Sequence, residues 1–181
     1  MTLIATVSDL LDDPQGVISG ASVRDLGRAG LFGYGLGAFS LYMFLRLFSA
    51  VPPGAYSFLN LLLMGLGINF FFAAGIHLFL EMTGVQGGAL RLFFLFGLTE
   101  FFLALLIPLG FLANLDYLNP AADLFLCFII IIVARVSLIR RLYSISRNKA
   151  LLSIAMPYAA VLTGFFMVLI YAIVYAVWLI V

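Results

Sequence analysis

The sequence predicts an all-α, multi-pass integral membrane protein, a bundle of five transmembrane helices, and three observations lead to this prediction. The chain of 181 residues is 65% hydrophobic and only 9% charged, whereas a soluble domain carries roughly 25% charged residues. Five apolar runs are close to or above the ~20 residues that a helix needs to cross a bilayer. The runs show no barrel-type alternation, and lipid offers no partner for backbone groups, so the spans must be helical.

The first 28 residues are predicted to form a cytoplasmic or interfacial segment ahead of the membrane domain. Apolar residues between 3 and 11 recur at helical spacing, which is typical of a short helix lying at a membrane surface. A poorly ordered tail is the alternative. Ser22 and Asp25 match the S-x-x-D capping box that would start a helix before the first span. The segment lacks the basic start of a signal peptide, so we expect it to be retained.

The membrane domain, residues 29–181, is predicted to contain all five spans. They fall near residues 29–51, 56–80, 90–113, 122–139 and 152–181. In the first span, Gly33 and Gly37 form a G-x-x-x-G pair, which would let a neighbouring helix approach closely. A phosphate-binding glycine loop is excluded at this position, because no strand precedes the glycines and no βαβ unit surrounds them.

The distribution of basic residues predicts a cytoplasmic N-terminus and a C-terminus outside. Short loops rich in Lys and Arg remain on the cytoplasmic side. With the N-terminus inside, almost every basic residue falls in a cytoplasmic segment: Arg24, Arg28, Arg91, Arg140, Arg141, Arg147 and Lys149. The two outer loops contain no Lys or Arg, and aromatic side chains fall at the outer interface, as expected of an aromatic belt.

Three polar residues inside the spans, Asn69, Glu100 and Arg135, are predicted to form an intramembrane cluster. A rise of about 1.5 Å per residue places them roughly 18, 13 and 9 Å from the inner interface, respectively. A charge near the bilayer centre costs at least ~2.5–3.5 kcal/mol, so we expect Glu100 and Arg135 to pair inside the bundle, with Asn69 or a tyrosine hydroxyl close by. The pair could clamp the helix register, handle protons or ions, or contact a lipid headgroup or a partner.

The sequence predicts no catalytic, cofactor or metal site. His77 and Glu81 have i, i+4 spacing, but two ligands without a cysteine or a second histidine make a poor metal site. No metalloprotease or serine-hydrolase motif occurs. A lipid-modifying enzyme that uses His77 and Glu81 at the inner face is the remaining enzymatic alternative. A net charge of +1 without a basic stripe argues against nucleic-acid binding.

The order of these features resembles the Yip-domain family, the Ypt/Rab-interacting proteins, over most of the chain. The matching positions are Pro14 before the first span, Gly87, Gly88 and Arg91 at the start of the third, Pro108 within it, Lys149 in the basic Arg-Asn-Lys-Ala element, and Pro157 in the fifth. The resemblance implies five spans and a cytoplasmic N-terminus. The long N-terminal region and the Asp-Leu-Tyr-Gly-Pro-type motif of eukaryotic members are absent, so small-GTPase binding is not expected. The compact form resembles prokaryotic members, which implies a bacterial or archaeal cytoplasmic membrane.

Two functions follow as hypotheses. The first is a non-enzymatic membrane protein that organises the membrane or partner proteins through helix packing. Its partners would be the lipid bilayer and either a second copy or another membrane protein, with no cofactor. The alternative is a small channel or transporter for ions, protons or small solutes that uses the cluster of Asn69, Glu100 and Arg135.

Overall fold

The computed structural model describes residues 22–180, and within this range the chain is helical with no β-strand. Five helices are long and apolar enough to cross a membrane, which confirms the number and type of elements predicted. They are α1 (Val23–Leu47), α2 (Ala55–Met82), α3 (Ala89–Asn114), α4 (Pro120–Tyr143) and α5 (Arg147–Ile180). The surface helix predicted near residues 3–11 lies outside the described residues.

Local capping, and not hydropathy, sets both ends of α1. The Ser22 hydroxyl oxygen accepts a hydrogen bond from the Asp25 backbone N–H at 3.2 Å, so the helix begins before the apolar run that starts near residue 29. At the other end, Ser49 has a φ of +56°, and the N–H of Ala50 donates to the carbonyl of Leu45 at 2.9 Å. This left-handed turn ends the helix at Leu47, before residue 51.

The helices alternate in direction around α3, which contacts α1, α2 and α4. The loops after α2 and α4, together with the start of α1, form one end of the bundle. This end contains Arg24, Arg28, Arg91, Arg140, Arg141, Arg147 and Lys149, and we call it the basic end. The loops at residues 48–54 and 115–119 form the far end. Helix α1 runs parallel to α3, because Gly30 lies against Phe94 and Phe44 lies against Gly110.

The backbones of α1 and α3 touch through glycines. A Cβ atom added to Gly97 would lie 2.9 Å from the Cα of Gly30, and one added to Gly33 would overlap the Gly97 carbonyl. A Cβ atom on Gly37 would lie 2.8 Å from the Cβ of Glu100. Such contacts require glycine, as in the small-residue interfaces of membrane helices. Both predicted packing positions, Gly33 and Gly37, therefore lie in this interface.

Helix α3 is not regular in its middle. Residues Glu100–Leu105 form a 3₁₀ segment between two α-helical parts, Ala89–Thr99 and Leu106–Asn114. Pro108 has no N–H to donate to the carbonyl four residues earlier, and its ring crowds that carbonyl, so the preceding turn tightens. Glu100 is the first residue of the tightened segment, and its side chain therefore leaves α3 where the helical geometry changes.

Only the first part of α5 packs against the bundle. Ala150, Ser153, Ile154 and Pro157 are buried against α2 and α4. The ring of Tyr158 lies 4.4 Å from that of Phe72, centroid to centroid. Every residue from there to 179 is exposed. Residues 159–179, which we call distal α5, thus extend away from the other helices as a separate apolar helix.

Candidate functional site

Asn69, Glu100 and Arg135 meet inside the bundle and hydrogen-bond to one another. Arg135 Nη2 donates to Glu100 Oε1 at 2.5 Å and to Asn69 Oδ1 at 2.6 Å. Asn69 Nδ2 donates to the same Glu100 oxygen at 3.2 Å. The arginine and glutamate side chains are only 12% and 14% exposed. The three side chains form a closed polar triangle, which we call the polar cluster.

Two further residues complete the surroundings of the guanidinium, and sequence reasoning did not identify either. Arg135 Nε donates to the hydroxyl oxygen of Thr99 at 3.1 Å, and the guanidinium carbon lies 4.5 Å from the centre of the Phe96 ring. Phe96 lies four residues before Glu100 on α3, so helical spacing from the glutamate could have pointed to it. Thr99 is the immediate neighbour of Glu100, and this spacing does not single it out. The nearby tyrosine, Tyr34, instead donates to the carbonyl of Phe93 at 2.7 Å.

The polar cluster joins three helices. Asn69 belongs to α2, Glu100 to α3 and Arg135 to α4, while α2 and α4 make at most marginal direct contact with each other. Asn69 Nδ2 also donates to the Gly65 carbonyl at 2.9 Å, which fixes the amide orientation. Removing one member of a buried ion pair leaves an uncompensated charge, at a cost of about 3–5 kcal/mol. The cluster therefore ties α2 to α4 across α3.

A cavity of about 350 Å³ lies between α2 and α4 and reaches the polar cluster. Its walls are mostly apolar, and Tyr158 of α5 lines it where that helix leaves the bundle. The lining residues are Leu41, Leu61, Met64, Gly65, Ile68, Asn69, Glu100, Leu103, Phe128, Ile131, Ile132, Arg135 and Tyr158. We call this space the lateral groove. It extends from the polar cluster toward the far end of α2 and α4.

One polar atom of each charged side chain has no hydrogen-bond partner among the described residues. No described residue donates to Glu100 Oε2 or accepts from Arg135 Nη1. Among the described side chains, the only enclosed and unpaired nitrogen or oxygen is Oδ2 of Asp123. Glu100 Oε2 and Arg135 Nη1 are therefore not enclosed, and both residues line the lateral groove. A carboxylate oxygen and a guanidinium N–H at one end of an apolar space can hydrogen-bond water or a polar group.

His77 serves a contact between helices at the basic end. Its Nδ1 shares a hydrogen bond of 2.9 Å with the Tyr143 hydroxyl, and its Nε2 lies 3.7 Å from a carboxylate oxygen of Glu81. Within the part of the chain that the structure describes, no three His, Cys, Asp or Glu side chains are grouped to hold a metal ion. Gly87 borders the Tyr143 ring so closely that any Cβ atom would overlap it.

The other described positions that suggested the family resemblance lie apart from the polar cluster, and Pro14 lies outside the described residues. Gly88 immediately precedes α3, and Arg91 is in the first turn of that helix. The Lys149 amine at the start of α5 donates to the Thr83 carbonyl at 3.5 Å. Pro108 is exposed, whereas Pro157 is buried against Gly75, with 3.3 Å between the proline ring and a Cβ atom added there.

Comparison with known protein families, curated proteins and solved structures gave no match. The fold defines the chain as a five-helix bundle with the length and hydropathy of a multi-pass membrane protein. The resemblance to the Yip-domain family stays a prediction.

Proposed function

We propose that the protein is a non-enzymatic, multi-pass membrane protein of the Yip-domain type that organises membrane or partner proteins through helix packing. One observation supports this function above others: four helices and the start of the fifth form a clamped bundle, while distal α5 is exposed on every side. Association of helices in lipid depends on close packing and hydrogen bonds between them. An unpacked helix beside an unfilled groove offers both kinds of contact to another membrane component.

The proposal includes the orientation of the bundle. The basic end faces the cytoplasm, because short basic loops remain there, and the far end faces outward. The N-terminus is then cytoplasmic and the C-terminus external. Following the family resemblance, the membrane is a bacterial or archaeal cytoplasmic membrane. Cysteines placed in the loops at residues 48–54 and 84–88 should react with a membrane-impermeant thiol reagent from outside and inside, respectively.

The organising function is tested by a photoreactive amino acid at Phe165, on distal α5, in native membranes. Phe165 is 63% exposed, so we expect adducts with a second copy or with another membrane protein. The matched control is the same amino acid at Phe96, which is 1% exposed and should label only its own chain. Adducts with lipid alone from Phe165 would contradict the proposal.

A second function, transport of protons, ions or small solutes, is favoured by the lateral groove, which Glu100 and Arg135 line. Here Asn69, Glu100 and Arg135 would form part of the path. The test is flux in proteoliposomes, where Glu100→Gln should reduce the rate. Glu81→Gln is the control, because Glu81 lies at the basic end and is 66% exposed. Flux that is absent, or unaffected by Glu100→Gln, would exclude the cluster from such a path.

A further inference from the structure

We infer that the lateral groove binds distal α5 of a second copy of the chain, so that two copies exchange these helix segments. The inference rests on the proposed function as a helix-packing membrane protein and names its partner. It starts from two unfilled surfaces. The groove lies beside the part of α2 that α5 no longer covers. Distal α5 is an exposed apolar helix that packs against no other helix.

The existing contact between α5 and α2 supplies the register for such docking. Pro157 lies against Gly75, and Tyr158 against Phe72, so the two helices run antiparallel. Both helices rise by about 1.5 Å per residue. Continuing the same pairing along both helices brings Gly164 level with residues 66–68 of α2. The docked helix would therefore extend an interface that the chain already forms.

The helical face of α5 is also consistent with this docking. The buried residues Ala150, Ser153, Ile154 and Pro157 share one face of α5. Residues three, four, seven and eight positions apart lie on one side of a helix, so Gly164, seven after Pro157, continues that face.

Two glycines stand in open space where the two surfaces would meet. A Cβ atom added to Gly65, which lines the lateral groove, or to Gly164 on distal α5 would touch nothing within 4 Å. Small residues on both helices let two membrane helices approach closely. A lipid chain can fill an apolar groove without glycines on either side, so the glycines favour a helix as the occupant.

A second copy fits the groove better than the same chain does. Within one chain, α5 is a single helix of 34 residues, and its packed first part directs distal α5 away from the groove. Filling its own groove would require a bend near Pro157. In a membrane, a second copy has the same orientation, so its α5 also runs antiparallel to α2. Reciprocal exchange of one segment is a low-cost route to a symmetric dimer.

The test is disulfide cross-linking in native membranes between copies that carry different tags. The background is Cys127→Ala, which removes the one native cysteine. One copy has Gly65→Cys and the other Gly164→Cys. We expect oxidation to produce a dimer that contains both tags. The control pair replaces Gly65→Cys with Phe39→Cys, which is exposed on α1 outside the groove and should not cross-link.

The other outcomes would overturn the inference. A second experiment places Gly65→Cys and Gly164→Cys in one chain and dilutes it with protein that lacks both cysteines, so that two such chains rarely meet. An intrachain disulfide would then mean that α5 bends into its own groove. No disulfide in either experiment would mean that lipid or another protein fills the groove. A further variant tests the close approach at position 164. With Phe165→Cys on one copy and Gly65→Cys on the other, adding Gly164→Leu to the first copy should abolish the cross-linked dimer. The same substitution should not unfold the monomer, because position 164 is unpacked there.

Failure of this inference can be distinguished from failure of the proposed function. If no disulfide links two copies but Phe165 still photolabels another membrane protein, the organising function stands and the exchanged dimer is wrong. If Phe165 labels only lipid as well, both proposals are contradicted.

Discussion

The α1–α3 interface and the region around distal α5 use the same residue type in opposite surroundings. At Gly30, Gly33 and Gly97, an added Cβ atom would strike the backbone of the facing helix, whereas at Gly67 and Gly164 it would meet nothing within 4 Å. Both sets look alike in the sequence, as glycines within apolar helices. The difference shows that one interface is completed within the chain, while the other surface is left uncovered by the described residues.

The largest effect is expected at the polar cluster, which holds the packed region together. Arg135→Leu should lower the free energy of unfolding by about 3–5 kcal/mol, because it leaves Glu100 without its charged partner in a buried site. The measurement is reversible unfolding in mixed micelles. The double variant Glu100→Leu/Arg135→Leu is the matched control. It should be more stable than the single variant, since no unpaired charge is left. A single variant at least as stable as the double would contradict this assignment.

A smaller loss of folding stability is expected where the backbones of α1 and α3 touch. Gly97→Ala should cost about 1–3 kcal/mol, a typical cost of overpacking, because its Cβ atom would lie 2.9 Å from the Cα of Gly30. The same unfolding assay checks this value. An unchanged stability would show that the two helices can separate without loss, and the contrast between the two glycine-containing regions would then disappear.

The hydrogen bond between His77 and Tyr143 at the basic end should contribute less to folding stability. Tyr143→Phe removes the hydroxyl that shares a hydrogen bond with His77 Nδ1. A loss of about 1 kcal/mol is expected, the net value of one hydrogen bond. Comparison with His77→Phe/Tyr143→Phe in a double-mutant cycle measures the coupling between the two side chains. Strictly additive effects would argue against this hydrogen bond.

The smallest effect on the isolated chain is expected in the unfilled region. Gly67→Ala should change the free energy of unfolding of the monomer by less than about 0.5 kcal/mol, as for other substitutions away from packed features. That limit applies to a loss of stability; a gain of up to about 1 kcal/mol is expected if the helix propensity of alanine dominates. A loss as large as that of Gly97→Ala would mean that α2 is already packed at this position.

Hydropathy and helical spacing were sufficient to predict the five helices and the level at which Asn69, Glu100 and Arg135 meet. Depth along a helix can be counted from the sequence, so residues of similar depth can be identified before the structure is known. The departure of distal α5 could not be predicted, because that segment is apolar on all sides and its pattern is the same whether it faces lipid or protein. Thr99 was missed because threonine is unremarkable in an apolar helix until a donor such as Arg135 lies beside it.

The most direct test of the account is the ionisation of the Glu100 carboxyl in lipid nanodiscs, measured by infrared spectroscopy. The chain has two glutamates, Glu81 and Glu100, so ¹³C-labelled glutamate in a Glu81→Gln background reports on Glu100 alone. We predict a carboxylate band in this background and a protonated carboxyl band when Arg135→Leu is added. A protonated carboxyl in both, with rapid deuterium exchange, would contradict the buried ion pair and leave Glu100 as an isolated acid reached by water.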